Sequence, residues 1–338
     1  MFILICSTLG NIAVVWIICS SKKMRKSSNF LILNLSICDL VTPVISIPFD
    51  FALEERGYSW FYGKTMCKFI WPCATLTTTS SSLILAAISF DRYRFLMHPF
   101  KTKLSWKQIQ MIAVLSHIMS LLCVLPYIYV LELRGDNCVE NWPDGFPFRK
   151  GYTLLLFLVQ YAIPLVFMVV MYALAISNLR VSSHRVRKWT NEDIDISNVK
   201  RGENLHWLKS PNAKATRMFV VVVVVFAVFM FPNQVLWLWL DIGENESSPN
   251  LPTVKVICWL FTYTNSVGNP LIYFKFNRDF SKGLKRLAMC LACRTRRRVF
   301  ERAQFISPPD SGTSETNESL LRKMSISSLR KSFSIRKK

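Results

Sequence analysis

Acidic residues are scarce in this chain of 338 residues: 21 Asp and Glu stand against 42 Lys and Arg, a formal net charge of +21. No metal signature is present, because Cys290 and Cys293 form a single CxxC pair with no second pair nearby and no CxxC–His spacing. No nucleophile–base set emerges, so an enzyme is not expected. No internal repeat is visible, which weighs against a transporter built from repeated halves. Long stretches lack charge altogether. The basic excess alone would suit a nucleic-acid binder, but its placement argues otherwise.

What fills the chain is apolar: 51% of residues are hydrophobic. They fall in blocks of about 20 residues, the length that crosses roughly 30 Å of hydrocarbon as a helix. Seven blocks lie near 1–20, 28–50, 65–96, 108–130, 152–179, 216–240 and 254–274. A large soluble all-α protein is the competing reading, and seven blocks separated by charged loops argue against it. The expected fold class is an all-α membrane protein, a seven-span helix bundle.

Charge then sets orientation. Lys22, Lys23, Arg25 and Lys26 follow the first span with no acid among them, and the loops after spans three and five and the C-terminal tail are also basic. Acids gather after spans two, four and six, among them Asp50, Glu140, Asp144 and Asp241. Basic residues collect on the cytoplasmic side. An odd number of spans therefore puts the N-terminus outside and the C-terminus in the cytoplasm of a multi-pass plasma membrane protein. Met1 itself opens the first block, and charge follows the apolar run with no small-residue cleavage pattern, so no signal peptide is expected. Almost no outer segment stands ahead of that span, as in a chain cut short at this end. Asn245 is the glycosylation sequon expected outside, and Asn317 lies in the tail placed inside.

Cys67, opening span three, and Cys138, in the loop after span four, lie on the oxidising side, where a disulfide is plausible chemistry. Cys73 sits about 9 Å deeper along a helix and is a poorer partner. After Tyr273, Phe276, Phe280, Leu284 and Leu287 recur at helical spacing opposite Lys275, Arg278, Lys282, Lys285 and Arg286. That pattern predicts a short amphipathic helix on anionic membrane lipid. Cys290 and Cys293 at its end suit palmitoylation, against the alternative of two unmodified cysteines. The domain expected is 1–294, with 295–338 a disordered, basic, Ser-rich tail. Ser325, Ser327, Ser328, Ser332 and Ser334 follow basic pairs there, as phosphorylation sites for basophilic kinases and a route to arrestin; the alternative is an unmodified polybasic tail.

Several motifs arrive in order: Gly10-Asn11, "LNLSICDL" with Asp39, Cys67, "DRY" at Asp91, Arg92 and Tyr93, Pro164 with Tyr172, Phe226 with Pro232, and "NPLIY" from Asn269 and Pro270 to Tyr273. Over about residues 1–294 the sequence resembles a rhodopsin-like G-protein-coupled receptor. Polar groups at mid-membrane depth, Asn11, Asp39, Ser81, Asn265, Ser266 and Asn269, should converge in one cluster. The resemblance implies that this cluster binds an allosteric sodium ion; a purely hydrogen-bonded packing cluster is the alternative. No other cofactor is expected. The resemblance also implies that Arg92 pairs with Asp91 in a closed bundle and swings towards Tyr172 and Tyr273 on activation. Phe100 would then enter the surface of a heterotrimeric G protein. The plainer alternative is that Arg92 snorkels to the interface. The acid that many members carry at the inner end of span six is replaced by Asn212.

Tyr263 stands where an opsin has its lysine, and Ala74 where an amine receptor has its acid. The stretch "CVENWPDGFPF" resembles receptors for neuropeptide FF, neuropeptide Y and RFamide-type peptides. In those relatives an acid at the outer end of span six pairs with a peptide arginine, which casts Asp241 in that role; a solvent-facing helix cap is the alternative. The ligand-binding candidates are Asp241, Glu140, Asp50 and Trp259. Two departures stand out: Met230 and His117 occupy places where the family carries tryptophan. The expected function is a receptor for an extracellular, Arg-containing amidated peptide that activates a G protein. The competing classes are a receptor-like protein with lost or constitutive signalling and a seven-span transporter.

Overall fold

The computed structural model describes residues 1–97, 104–143, 148–191, 211–243 and 250–306, with the backbone alone for 96, 178–191, 211–217 and 294–306. Every apolar block is helical. The spans are Phe2–Ser20, Ser27–Glu55, Ile70–Met97 and Trp106–Val130. The fifth runs from Phe148–Phe157 through a π-helical turn at Leu158–Ala162 into Ile163–Asn191, and the last two are Pro211–Gly243 and Leu251–Phe276.

Six of these helices are long and apolar enough to cross a membrane by length and composition. The seventh falls short in apolarity, not in length: its 26 residues reach about 39 Å. Its polar residues include Asn265, Ser266 and Asn269, all buried. A spanning helix tolerates such groups when they face its neighbours. Prolines inside spans two, four, six and seven (Pro43, Pro48, Pro126, Pro232 and Pro270) are tolerated for a related reason, since surrounding helices re-satisfy the backbone.

Large apolar side chains such as Leu122, Val166, Val228 and Leu271 point outward and are exposed. Water would make that surface unstable, and lipid hydrocarbon makes it neutral. The core lies between the helices, around Ile17, Leu31, Leu35, Leu85, Met168, Phe226, Met230 and Tyr273. Span four opens with a capping box, in which Ser105 and Gln108 satisfy each other's backbone N–H groups.

One element was not anticipated. The loop after span four forms a hairpin, β1 Leu131–Arg134 with β2 Asn137–Glu140, turning at Gly135, whose φ of 57° suits glycine. The backbone N–H of Trp60 donates to the Asp136 carbonyl at 2.6 Å. Leu131 packs with Leu53, Trp60, Cys67 and Ile70, so the hairpin lies on those ends of spans two and three that the charge pattern assigns to the outer side. The Cys67–Cys138 disulfide is formed, with Cα atoms 5.7 Å apart. Cys73 is a free cysteine.

After span seven, the Asn277 side chain accepts from the Asp279 N–H at 2.9 Å and starts a helix, Arg278–Ile306. Phe280 is fully buried and stacks on Tyr273 with ring centroids 5.6 Å apart. Gly283 meets span one so closely that a Cβ there would lie 2.6 Å from Ile17 Cγ2. The compact unit ends at Leu287, and the described residues beyond it form a separate helical unit, with Cys290 and Cys293 exposed. Residues 295–306, expected to be disordered, continue the helix: "RTRRRVFERAQFI" contains no glycine or proline, and "SPP" follows it.

Candidate functional site

At the outer mouth, Asp241 near the end of span six is only 8% exposed. One of its oxygens accepts from the Thr153 hydroxyl and the other lies 2.9 Å from Arg149 Nη2. Thr153 and Arg149 both stand in the first turns of span five. Arg149 Nε lies 4.0 Å from Glu140 Oε2, at the end of β2. The same Glu140 oxygen accepts from Trp142 Nε1 at 2.7 Å. One guanidinium is therefore shared between carboxylates from two different elements.

Across the mouth, Asp50 at the outer end of span two accepts from the Tyr263 hydroxyl of span seven at 2.7 Å. Among the described residues no cation pairs with it. Spans three, five and six are joined by an amide chain in which Gln234 Nε2 donates to Gln160 Oε1 at 3.2 Å and Gln160 Nε2 donates to Thr79 at 2.8 Å. Gln160 lies in the π-helical turn, where one extra residue per turn re-aims side chains.

In the middle of the bundle, Asp39 is buried and accepts from Ser81 at 3.1 Å and from Asn269 Nδ2 at 2.8 Å. Asn11 Nδ2 donates to the Ser266 carbonyl and to the Ser7 carbonyl, both at 3.0 Å, and Ser7 donates to the Asp39 carbonyl at 3.1 Å. Four spans thus meet here. The amide oxygens of Asn11 and Asn269 are buried without a hydrogen-bond partner among the described residues.

At the inner end of span three, Arg92 Nη2 lies 3.5 Å from Asp91. Its guanidinium also sits over the Phe219 ring of span six, 5.0 Å from the centroid. That contact is worth about 0.5–1 kcal/mol at a partly exposed site. Tyr172 and Tyr273 are buried nearby in the same core, and the Tyr273 hydroxyl finds no partner among the described residues.

The model of the seven transmembrane receptor (rhodopsin) family matches residues 10–273. The chain belongs to that family. The receptor is 28% identical over 308 residues to the tachykinin-like peptides receptor 86C of Drosophila melanogaster, covering 86% of this chain and 58% of that protein. It is 29% identical over 296 residues to galanin receptor type 1 of Rattus norvegicus, covering 84% and 79% of the two chains. Neuropeptide FF receptor 2 of the same species is 27% identical over 300 residues, covering 82% and 68%. The receptor thus spans between about half and four-fifths of the length of these relatives. The family is one of multi-pass membrane receptors, not enzymes.

Asn11, Asp39, Ser81, Ser266 and Asn269 are brought together by the receptor fold as the sequence suggested, the Ser266 contribution being its carbonyl. Asn265 is buried on the same helix but makes no described hydrogen bond with them. Pro270 packs against Gly10, where a Cβ would lie 3.0 Å from the ring. Tyr93 is half-buried beside Arg92. Trp259 is partly buried on span seven, with no described hydrogen bond or ring contact joining it to the acids. Asn212 lies on the span-six helix with its side chain outside the described residues, and Phe100, Asn245, Ser325, Ser327, Ser328, Ser332 and Ser334 also lie outside them.

Sequence reasoning missed Arg149, Phe219, Ser7 and the Gln160–Gln234 pair. Ser7 could have been found, since it precedes Asn11 by one helical turn on the same face. His117 replaces the family tryptophan without leaving a gap in the polar network. Its ring nitrogens lie 3.1 Å from the Ser80 hydroxyl and 3.3 Å from Asn34 Oδ1, joining spans two, three and four.

Proposed function

We propose that the chain is a plasma-membrane receptor for an extracellular cationic peptide, and that it acts through a heterotrimeric G protein. The observation that carries this reading is the nearly buried carboxylate of Asp241, which is already shaped to hold a guanidinium. A planar, bidentate donor on a partly desolvated carboxylate gives a directional pair that lysine does not reproduce. The peptide names of the similar receptors agree with a peptide ligand, and an amidated ending of Arg-Phe or Arg-Tyr type is the chemistry proposed.

Ligand entry bears on the outer ends of spans five and six. The inner response is movement of span six away from Arg92, which frees the guanidinium from Phe219. Arg92 then gains the hydroxyls of Tyr172 and Tyr273, and a G protein helix docks on that floor with Phe100 beside it. The polar cluster around Asp39 is proposed to hold a sodium ion in the closed form. A carboxylate, a hydroxyl and two buried amide oxygens without partners suit a hard cation. The N-terminus is placed outside, with glycan on Asn245. Acylation of Cys290 and Cys293 and kinase and arrestin action on the tail belong to the same proposal.

The test is G-protein activation in cells expressing the receptor, with a panel of amidated peptides and analogues bearing citrulline for arginine. Citrulline keeps the shape and removes the charge. Arginine peptides should act, and their citrulline analogues should lose about 30-fold or more in potency. If none of the amidated peptides acts, the peptide reading fails. A second reading has its own observation: Met230, not tryptophan, is buried in the core of span six. High G-protein signalling without any ligand would favour a constitutively active receptor.

A further inference from the structure

Asp241 cannot meet a ligand arginine as it stands, because its own chain already occupies it. Arg149 takes one oxygen at 2.9 Å and Thr153 donates to the other. The two partners differ in exposure. The Asp241 side chain is 5% exposed and fixed at the end of a long helix, whereas that of Arg149 is 42% exposed. With Arg149 on one oxygen and Thr153 on the other, an incoming arginine competes with the resident one for the same carboxylate.

The displaced group has a place to go. Arg149 Nε already lies 4.0 Å from Glu140, whose oxygen is steadied by Trp142 at 2.7 Å. Glu140 in turn is two residues from Cys138, which the disulfide ties to the top of span three. Rotation about the Arg149 side chain would exchange a shared position for a full pair with Glu140, without movement of either carboxylate.

We propose that Arg149 is a tethered competitor that occupies the ligand carboxylate Asp241 and is handed over to Glu140 when a peptide arginine arrives. It sets specificity as well as affinity. The exchange at Asp241 alone gains little, so the advantage of an arginine peptide over its citrulline analogue comes from the full pair that Arg149 then makes with Glu140, together with the further contacts of the ligand. The proposal rests on the reading of Asp241 as the peptide-arginine site.

The probe is a peptide ending in Arg-Phe-amide beside its citrulline analogue, measured by G-protein activation and by competition binding on full-length receptor, normalised to surface expression. Arg149→Gln removes the competitor and should raise the potency of the arginine peptide about fivefold, leaving the citrulline analogue unchanged. Glu140→Gln removes the receiving acid. It should lower the potency of the arginine peptide in the unmodified receptor and have no further effect beside Arg149→Gln. That non-additivity is the signature of a hand-over.

Discrimination between the peptides on the unmodified receptor, without any gain in Arg149→Gln, overturns the hand-over and leaves the functional reading standing. Equal action of the two peptides on both receptors overturns both. Should Arg149→Gln fail to reach the surface, Glu140→Gln alone decides: unchanged discrimination and potency would refute the exchange.

Discussion

The two ends of the bundle each hold a key arginine, and they hold it in opposite ways. At the outer end Arg149 binds carboxylates contributed by span six and by the hairpin, within a frame closed by a disulfide. At the inner end Arg92 pairs with Asp91, its neighbour in sequence, and leans on the Phe219 ring of span six. Beside it the hydroxyl of Tyr273 is buried without a partner among the described residues. A buried hydroxyl left unpaired costs about 1–3 kcal/mol. The outer end therefore joins its charged groups across elements and can exchange partners, whereas the inner end keeps a hydroxyl that gains a partner when it opens. Binding at one end and response at the other are separated by that difference.

The largest expected effect comes from breaking the outer frame. Cys138→Ser frees the hairpin that carries Glu140 and should cost about 2–5 kcal/mol. Thermal unfolding of purified receptor and surface expression would measure it, and a melting temperature equal to that of the unmodified receptor would contradict the frame role. Arg92→Ala attacks the inner end alone. Signalling should fall by about 5- to 150-fold, the range of a typical coupling energy, while peptide affinity changes little; an equal loss of affinity would erase the contrast between the ends. Tyr273→Phe deletes a hydroxyl that is unpaired in the closed form. Ligand-free signalling should drop about fivefold or more, as roughly 1 kcal/mol of strain leaves the closed state. A rise would mean that the hydroxyl is paired when closed. Phe219→Leu should have the smallest effect. It keeps an apolar side chain, removes the ring under Arg92, and should raise ligand-free signalling about two- to fivefold, as read by nucleotide exchange on the G protein.

The spans were legible because a membrane imposes length and apolarity directly on the sequence. The polar cluster was legible because isolated polar residues at that depth must find one another. The pairing of Cys67 with Cys138 followed from compartment. Other features were not legible, and for specific reasons. The hairpin is short, and its strands "LELR" and "NCVE" alternate too briefly to stand out from a loop. Arg149 looked like one more basic residue near a span end, and only the packing of span five beside span six reveals that it meets Asp241. Phe219 was hidden in the run "MFVVVVVVF", where nothing marks one apolar residue as the cover of an arginine. His117 read as a loss relative to tryptophan, because its partners Ser80 and Asn34 lie far away in sequence.

The chain through Gln234, Gln160 and Thr79 has a direction. Thr79 spends its only proton on the Thr75 carbonyl at 2.7 Å, so its oxygen must accept from Gln160, whose own oxygen must then accept from Gln234. A mixed order would oppose two N–H groups or two oxygens, so the amides can reverse only together. Reversal needs no displacement of the helices and sacrifices one side-chain bond to the backbone, about 1 kcal/mol. The thread linking spans three, five and six is thus a small dipole with two orientations, pinned at one end by a single threonine hydroxyl.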